Sequence, residues 1–378
     1  MIKVGVTIIG AGVVGLAVAR ELGFCSEQVL LLEKESAPGK GISSRNSEVV
    51  HAGIYYPEGS LKAALCVEGS AMLKEYCAKT GVPLKEIGKV IVATSRKEEH
   101  ALEDLCRKGM ENGARDLRIL SGKELKEREP NVRGTCALFS PHTGIIDSHR
   151  LVRSLEIQCL AQGAAILYRT TLFAVEKAAS GFTCRARGPG GEPYSFASRV
   201  VINAAGLDAD EVASLAGIDV DAAGYRIYPV KGEYFRVSPA KQGLVSGLVY
   251  PVPERNLMGL GVHATKDLSG SLRLGPNALP AQSRSYDVDP SHAQAFFESA
   301  RRMLPFLEPA DLSPDMAGIR PKIQRPGEPA KDFVVRHETE HGLAGMINLI
   351  GIESPGLTSC LSLGRYVADM IREAGLVS

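Results

Sequence analysis

The chain has 378 residues, of which 44% are apolar and 40 are glycine, and its 44 Lys and Arg side chains nearly balance its 43 Asp and Glu side chains, for a net charge of +1. This length predicts two or three domains, and the apolar content excludes disorder, collagen and coiled coil. The near-zero charge gives no electrostatic reason to expect a nucleic-acid or anionic-membrane partner.

The sequence has no apolar run near the about 18 residues that a membrane span needs. The apolar segment near the N-terminus is interrupted by glycines and lacks a signal-peptide cleavage pattern, so we expect a cytoplasmic protein. The cysteines show no CxxC pattern and no paired spacing, so we expect reduced thiols and no metal site. They lie at positions 25, 66, 77, 106, 136, 159, 184 and 360.

The first predicted element is Val4–Ile9, a short β-branched apolar segment that is typical of a buried parallel strand. Residues 13–22 carry Ala and Leu at helical spacing, and residues 28–32 form a second apolar strand that ends at Glu33. Strand, helix and strand in this order predict a βαβ unit.

Further helices and strands are predicted along the rest of the chain. Helical patterns cover residues 61–79, 97–112, 122–128, 149–162 and 208–215. One helix begins after Ser121, with Glu124 three residues later, which predicts a capping box. Strand-like runs occupy 165–168, 182–186, 200–203, 232–237, 248–252 and 257–262. Residues 281–291 read as a loop, and the chain ends with a strand at 346–350 and a helix after Gly356.

This order of elements predicts an α/β protein with two domains. One is a Rossmann-like nucleotide-binding domain built from three discontinuous segments, 1–80, 147–222 and 316–378. The other is an inserted β-rich domain for the substrate, formed by residues 81–146 and 223–315.

The turn between the first strand and helix has the pattern G-x-G-x-x-G, with Gly10, Gly12 and Gly15 and with Val14 between the last two. The first glycine permits a tight turn, the second lets the backbone approach a pyrophosphate, and the third allows close packing of helix and strand. Glu33, followed by Lys34, stands where a carboxylate accepts hydrogen bonds from an adenosine ribose. A glutamate there repels a 2′-phosphate, so we expect FAD or NAD(H) and not NADP.

Two more segments favour FAD. Residues 41–47 form a polar, basic loop suited to contact phosphate or ribityl oxygens. At the other end of the chain, a strand runs into a Gly-rich turn whose backbone N–H groups would stabilise the negative charge of a reduced flavin. From these segments we expect FAD contacts at Ser44, Arg45, Asn46, Ser47, Ser354, Pro355, Gly356, Leu357 and Thr358.

Several motifs resemble one known family, the FAD-dependent oxidoreductases with the D-amino-acid oxidase fold, and within it the L-2-hydroxyglutarate dehydrogenase/oxidase group. The matching segments are Ser44–Lys62, Lys231–Phe235, Tyr250–Pro253, Gly261–Thr265, Gly275–Ala278 and Gly318–Pro321. They run in family order along nearly the whole chain. The resemblance implies an FAD-binding domain of the D-amino-acid oxidase or glutathione reductase type, and we add Leu172, Ala205, Gly206 and Ile319 to the expected FAD contacts.

The chain departs from the family pattern at three positions. The family often has Gly where Glu48 stands, Arg where Lys231 stands and Leu where Ala264 stands. These positions lie in or near the expected substrate side, so they bear on the substrate and not on the cofactor.

Oxidation of a 2-hydroxy acid moves a hydride to the flavin and a proton from the hydroxyl to a base. We expect Arg320 to bind the carboxylate, since a guanidinium pairs with it bidentately. A histidine suits the base at neutral pH, and both His51 and His263 are candidates. In some relatives a histidine of the His51 region is attached covalently to the flavin, and that alternative stays open for His51. Substrate contacts are also expected from Lys231, Tyr55 and Tyr250.

The leading hypothesis is oxidation of a small 2-hydroxy acid, L-2-hydroxyglutarate, to 2-oxoglutarate. Alternatives on the same fold are an oxidase of sarcosine, glycine or D-amino acids, an enzyme resembling glycerol-3-phosphate dehydrogenase, and a flavin-binding module without turnover. The electron acceptor is left open between a quinone, an electron-transfer flavoprotein and oxygen. A quinone user would touch the membrane peripherally.

Overall fold

The chain forms two large β-sheets and one small sheet in a computed structural model that describes residues 2–23, 28–253 and 261–377. The helices are α1 (Val13–Leu22), α2 (Leu61–Thr80), α3 (Arg96–Glu111), α4 (Gly122–Arg128), α5 (Ser148–Ala161), α6 (Ala209–Leu215), α7 (Ala293–Ala300) and α8 (Gly356–Glu373). The strands of the first half are β1 (Ile2–Ile9), β2 (Val29–Leu32), β3 (Val49–Val50), β4 (Leu84–Glu86), β5 (Lys89–Ala93), β6 (Arg118–Ser121), β7 (Cys136–Ser140), β8 (Gly144–Ile146), β9 (Ala165–Leu167) and β10 (Thr171–Lys177). Those of the second half are β11 (Phe182–Arg187), β12 (Pro193–Asn203), β13 (Tyr228–Val237), β14 (Leu248–Pro251), β15 (Ala264–Lys266), β16 (Leu272–Leu274), β17 (Leu279–Pro280), β18 (Leu312–Lys322), β19 (Val334–His337) and β20 (Met346–Ile350).

The first sheet has the order β10-β11-β12-β1-β2-β9, with β20 beside β12 and β19 beside β20. Strands β9, β2, β1, β12 and β20 run parallel to one another, whereas β11 and β19 pair antiparallel with β12 and β20. Most apolar residues of the inner strands β2, β1, β12 and β20 are buried, as in a sheet covered on both faces, whereas β9 at the edge is partly exposed. Because the strands are parallel, the residues after Ile9, Leu32, Asn203 and Ile350 meet at one edge.

Helices α1, α2, α5 and α8 cover one face of this sheet. Close approach of α1 and α8 depends on Gly364, because a Cβ at that position would lie 2.8 Å from the backbone carbonyl oxygen of Ala17. Helix α4 begins with the predicted capping box, in which Ser121 and Glu124 bond each other's backbone N–H groups.

The second sheet has the order β17-β13-β16-β15-β14-β5-β7-β6, with β18 paired along β13. Its core includes Phe235 of β13 and Phe296 of α7, whose ring centroids are 4.7 Å apart. The small sheet consists of β3, β8 and β4.

Several predicted elements need correction. The predicted strand at 257–262 falls mostly on residues 254–260, which lie outside the described residues, and Gly261 and Val262 precede the strand Ala264–Lys266. Strands β5, β7 and β18 were not predicted. Pro314, Gly318 and Pro321 disfavour a strand locally, yet β18 persists because it pairs with β13 over nearly its whole length.

The predicted domain division stays a prediction. The segments assigned to the nucleotide-binding domain contain every strand of the first sheet, but the segment 316–378 also contains most of β18, which belongs to the second sheet. The predicted boundary at residue 316 falls within β18. Within the described ranges, no helix is long and apolar enough to cross a membrane, and the seven cysteines are free thiols.

Candidate active site

A cavity of about 1520 Å³ lies where the carboxyl edge of the first sheet meets the second sheet. Its walls include Ile9, Leu32 and Leu349 from the first sheet, and Tyr250 and Arg320 from the second. Pockets for drug-sized ligands measure roughly 300–1,000 Å³. The cavity therefore has room for a dinucleotide together with a small substrate.

The glycine turn after β1 forms one end of the cavity. Gly10 has a φ of +101°, and a Cβ there would lie 2.6 Å from the carbonyl oxygen of Ala204. A Cβ at Gly15 would lie 2.0 Å from the carbonyl oxygen of Gly10, so this glycine allows α1 to pack on the turn, although it does not line the cavity. Gly12 and Val14 do line it. This cradle at a helix N-terminus fits a pyrophosphate.

Glu33 lies at the end of β2 and faces the same cavity. One of its carboxylate oxygens accepts a hydrogen bond from the Ala11 N–H and the other accepts one from the Glu35 N–H, both at 2.8 Å. Each oxygen retains a second lone pair for a ribose hydroxyl. Lys34, also in the cavity wall, forms an ion pair with Asp208, and Arg284 pairs with the same carboxylate.

The loop at 41–47 packs against the glycine turn and against β18. The Ser43 hydroxyl accepts a hydrogen bond from the Val13 N–H at 2.9 Å, and Asn46 donates to the Ser43 carbonyl at 2.8 Å. The Arg45 guanidinium lies 4.1 Å from the centroid of the Tyr286 ring. The loop therefore presents its polar atoms to the cavity from a fixed position.

The segment before α8 closes the opposite wall. Residues 353–358 line the cavity, and α8 begins without a side-chain cap. The Gly356 N–H donates to the Glu353 carbonyl, which leaves the following N–H groups of the first turn as donors for a ligand. The Thr358 hydroxyl accepts a hydrogen bond from the His51 N–H at 3.0 Å, and the Ser354 hydroxyl lies 3.5 Å from His51 Nε2. These contacts join His51 to the expected flavin wall.

His51 and Tyr55 are half-buried residues of the cavity wall. Each has one buried polar atom without a hydrogen-bond partner among the described residues, His51 Nδ1 and the Tyr55 hydroxyl. Burial, and then the charge of Lys89, lower the pKa of His51 to about 3. Burial raises the pKa of Tyr55 well above its ordinary value. The imidazole is thus neutral over the physiological pH range, as a base must be before it accepts a proton.

Tyr250 and His263 form a stacked pair in the same wall. Their ring centroids are 3.6 Å apart, the rings are 7° from parallel, and both side chains are almost fully buried. The two strands β14 and β15 that carry or flank them pair antiparallel, which brings the rings together. Burial is also the main cause that raises the pKa of Tyr250.

Arg320 lines the cavity together with two lysines and a glutamate. Lys62 and Lys322 also line the cavity, and both pair with the buried carboxylate of Glu353, at 3.2 and 3.1 Å. Burial opposes ionisation of Glu353, but Lys62, Lys322 and Arg320 together hold its pKa below the ordinary value. Among the residues that the structure describes, none forms a hydrogen bond or an ion pair with the Arg320 guanidinium. We call Arg320, Lys62, Lys322 and their counter-ion Glu353 the cationic wall.

Lys231 is the one predicted substrate residue that the structure does not bring to the cavity. It pairs with Glu233 at 3.3 Å and donates a hydrogen bond to the Asp287 carbonyl. Side chains alternate along β13, so Gly232 and Tyr234 face the cavity while Lys231 points away.

The other predicted residues line the cavity, apart from Gly15. They are Gly10, Gly12, Val14, Glu33, Lys34, Ser44, Arg45, Asn46, Ser47, His51, Tyr55, Leu172, Ala205, Gly206, Tyr250, His263, Ile319, Arg320, Ser354, Pro355, Gly356, Leu357 and Thr358. Their separate roles stay predictions. Four further cavity residues were not predicted from the sequence. Tyr234 and Lys322 could have been found, because alternate residues of a strand share a face with Gly232 and with Arg320. Lys62 and Glu353 have no local signal in the sequence.

Comparison with known proteins agrees with this geometry. A family model described as DAO, FAD dependent oxidoreductase, matches residues 5–370. An L-2-hydroxyglutarate dehydrogenase of Arabidopsis thaliana, named as mitochondrial, is 38% identical, and the alignment covers 97% of this chain and 83% of that protein. An L-2-hydroxyglutarate dehydrogenase of Salmonella houtenae is 31% identical over 97% of this chain and 92% of its own length.

Solved structures show the same architecture. L-alpha-glycerophosphate oxidase from Mycoplasma pneumoniae, in a structure with FAD bound, is 26% identical with a TM-score of 0.86, and the match covers 98% of this chain and 95% of that one. Glycine oxidase from Geobacillus kaustophilus is 23% identical with a TM-score of 0.78, over 99% of this chain and 95% of that one, and shows a shared fold.

Proposed function

The chain belongs to the family of FAD-dependent oxidoreductases with the DAO domain, and from this premise we propose that it oxidises L-2-hydroxyglutarate to 2-oxoglutarate. The proposal is carried by one observation, the cationic wall and two histidines gathered in the cavity that fits FAD. It is supported by relatives from a plant, an animal and a bacterium that are named L-2-hydroxyglutarate dehydrogenases.

The cavity contains candidate residues for binding the substrate carboxylate and for accepting the hydroxyl proton. When bound, FAD accepts a hydride from the carbon that carries the hydroxyl group. In this proposal the Arg320 guanidinium, which lines the cavity, binds the adjacent carboxylate through two parallel hydrogen bonds and so orients that carbon. The hydroxyl proton passes to a neutral imidazole, for which His51 and His263 are the candidates.

The charge of the cationic wall favours a dicarboxylate. Arg320, Lys62 and Lys322 carry three positive charges and Glu353 carries one negative charge, which leaves two positive charges for the substrate. L-2-hydroxyglutarate is a dianion at neutral pH, whereas lactate and glycine present a single carboxylate. The protein as a whole is nearly neutral, so attraction of a dianion must come from these local cations.

Anaerobic reduction of the bound flavin tests the proposal. L-2-hydroxyglutarate should bleach the visible band of oxidised FAD, and D-2-hydroxyglutarate, L-lactate, glycine and sarcosine should not. Bleaching by glycine or sarcosine alone would favour an amine oxidase, and absence of bleaching by every compound would favour a flavin-binding module.

Glycerol 3-phosphate is a second candidate substrate. The L-alpha-glycerophosphate oxidase above is similar in structure over nearly the whole chain, and a cationic wall also suits a phosphate. The same anaerobic assay separates the two, because flavin reduction by glycerol 3-phosphate and not by L-2-hydroxyglutarate would replace the first proposal with the second.

Two finer points are part of the proposal. The electrons leave the reduced flavin to a quinone, an electron-transfer flavoprotein or oxygen, and stopped-flow reoxidation with each acceptor identifies which. Cytoplasmic location, with peripheral membrane contact for a quinone user, rests on the sequence alone, and several eukaryotic relatives are named as mitochondrial.

A further inference from the structure

Lys89 is a buried lysine directly behind the wall that carries His51. It lies at the start of β5 with 1% of its surface exposed, and its Nζ has no hydrogen-bond partner among the described residues. The Nζ lies 4.5 Å from the centroid of the Tyr55 ring and 4.9 Å from that of the Tyr250 ring. Lysines are almost never fully buried without a partner, so this one requires an explanation.

The groups that face Lys89 carry no negative charge at neutral pH. Cys66 of α2 lies close enough to interact electrostatically, but burial raises the pKa of its thiol to about 12. Burial also keeps two tyrosines protonated, Tyr55 and, on β14, Tyr250. In the described part of the chain no carboxylate lies within 4.0 Å of the Lys89 Nζ. Burial therefore lowers the pKa of Lys89 to about 7, and its amine titrates in the working range of an enzyme.

Tyr55 connects Lys89 with the cavity wall that carries His51. The Lys89 Nζ is 4.5 Å from the centroid of the Tyr55 ring, and Tyr55 and His51 line the same cavity wall, each with a buried polar atom that has no partner among the described residues. The positive charge of the Lys89 ammonium opposes a second positive charge on His51 and lowers the pKa of the imidazole. Ser354 and Thr358, the groups from the α8 side that contact His51, are uncharged hydroxyls and do not compensate. Protonation of one group therefore opposes protonation of the other.

We propose that Lys89 is a positioning residue that acts through His51. His51 accepts the substrate proton only when the amine of Lys89 is neutral. In that state the substrate O–H bond breaks and its proton forms an N–H bond on His51, while the C–H bond of the carbon that carries the hydroxyl group breaks and a C=O bond forms. The hydride, with its electron pair, would pass to FAD, the two-electron acceptor. When Lys89 is an ammonium ion, the imidazole does not accept the proton. The inference rests on the proposed function for the identity of the donor, not for the coupling itself.

The first test observes the two groups without turnover. In the holoenzyme with ¹³C-labelled histidine, the His51 resonance is assigned by its loss in His51→Asn and titrated in the wild type and in Lys89→Met. We expect the pKa of His51 to move upward in Lys89→Met. With ¹³C-labelled lysine in the wild type, one side chain should titrate near pH 7. An unmoved His51, or a set of lysines that all titrate near their ordinary pH, would overturn the inference.

The second test follows the anaerobic rate of flavin reduction against pH. Because the neutral fraction of a group of pKa about 7 changes roughly tenfold between pH 8 and pH 6, the wild-type rate should fall by that factor. Lys89→Met should lose this fall, Lys89→Arg should be slow throughout, and Lys85→Met, an exposed lysine of β4, should follow the wild type.

A uniform loss of rate in Lys89→Met with an unchanged pH profile would mean a packing role and would overturn the inference. If Lys89→Met does not fold, the lysine titration of the wild type still tests the inference, because the absence of a lysine that titrates near pH 7 would overturn it. Failure of the wild type to be reduced by L-2-hydroxyglutarate would remove the proposed function, whereas the histidine titration tests the coupling independently.

Discussion

The imidazole of His263 lies parallel to the ring of Tyr250 at 3.6 Å, so the orientation of a candidate base depends on an aromatic side chain of the neighbouring strand. Stacked aromatic pairs contribute about 0.5–1.5 kcal/mol beyond their burial. A histidine held in this way has few alternative orientations.

Replacement of Tyr250 should separate stacking from hydrogen bonding. Tyr250→Phe keeps the ring, whereas Tyr250→Leu removes the stacking, so kcat/KM should fall further in Tyr250→Leu by roughly twofold to tenfold. Steady-state kinetics with the FAD content normalised measures this difference. Equal kcat/KM in the two variants would show that the stack does not orient His263.

Arg320 should contribute through binding of the substrate carboxylate. A charge-assisted hydrogen bond is worth about 1.5–3 kcal/mol, so Arg320→Met should lower kcat/KM for the hydroxy acid by roughly 10-fold to 150-fold without loss of FAD. The matched control is Arg325→Met, since Arg325 is exposed, contacts the Tyr228 hydroxyl and does not line the cavity. Unchanged kinetics in Arg320→Met would remove the carboxylate role.

The nucleotide-binding part of the site was predictable because its signals are local. The turn with Gly10, Gly12 and Gly15 lies between a short apolar strand and a helix, and the glycine spacing with the second strand close behind it is readable within residues 2–32. The Gly15 contact is also local, since a Cβ there would meet the Gly10 carbonyl oxygen. The strand Met346–Ile350 has the predicted bounds because four of its five residues are apolar and Gly351 follows it.

The substrate side was harder to predict because its groups act through distant contacts. Lys89 has the composition of a surface residue, and only the folded chain shows it between the rings of Tyr55 and Tyr250. Glu353 and Lys62 are 291 positions apart in the sequence, and their ion pair forms only when α2 meets the segment before α8. Long-range ion pairs leave no periodic signal in the sequence.

Substitution of Gly318 tests whether FAD binding requires the close approach of β18 to the loop at 41–47. A Cβ at Gly318 would lie 2.3 Å from the carbonyl oxygen of Arg45, so Gly318→Ala must displace this loop. Overpacking costs about 1–3 kcal/mol, and FAD affinity should fall by roughly fivefold to 150-fold. Gly243→Ala is the control, since nothing lies within 4 Å of its Cβ. Titration of apoprotein with FAD measures both, and equal dissociation constants would contradict the prediction.

Glu48 occupies a backbone conformation that explains why the family often has glycine there. Its φ is +57°, and its carboxylate accepts hydrogen bonds from the Ser148 N–H at 3.0 Å and the Ser148 hydroxyl at 2.7 Å. The left-handed conformation costs roughly 1–2 kcal/mol without glycine, and the hydrogen bonds offset it.

Two substitutions at Glu48 should therefore differ. Glu48→Gly loses the hydrogen bonds but also the backbone strain, whereas Glu48→Ala loses the bonds and keeps the strain. Glu48→Ala should be less stable than Glu48→Gly by about 1 kcal/mol. Thermal unfolding of the two variants measures the difference, and a more stable alanine variant would contradict the strain argument.

Glu353 should make stability depend on pH through its two lysine partners. Its pKa lies below the ordinary value of 4.5, so its ion pairs stabilise the folded state fully above pH 4.5 and lose that contribution as the pH falls through the lower folded-state pKa. Glu353→Gln leaves Lys62 and Lys322 without their counter-ion, which costs roughly 3 kcal/mol at pH 7 when a buried pair is broken. The gap in unfolding temperature between the wild type and Glu353→Gln should therefore be large at pH 7 and smaller at pH 4. Glu340→Gln, at an exposed glutamate, should follow the wild type at both pH values. A gap that stays constant between pH 7 and pH 4 would show that the carboxylate charge does not stabilise the cationic wall.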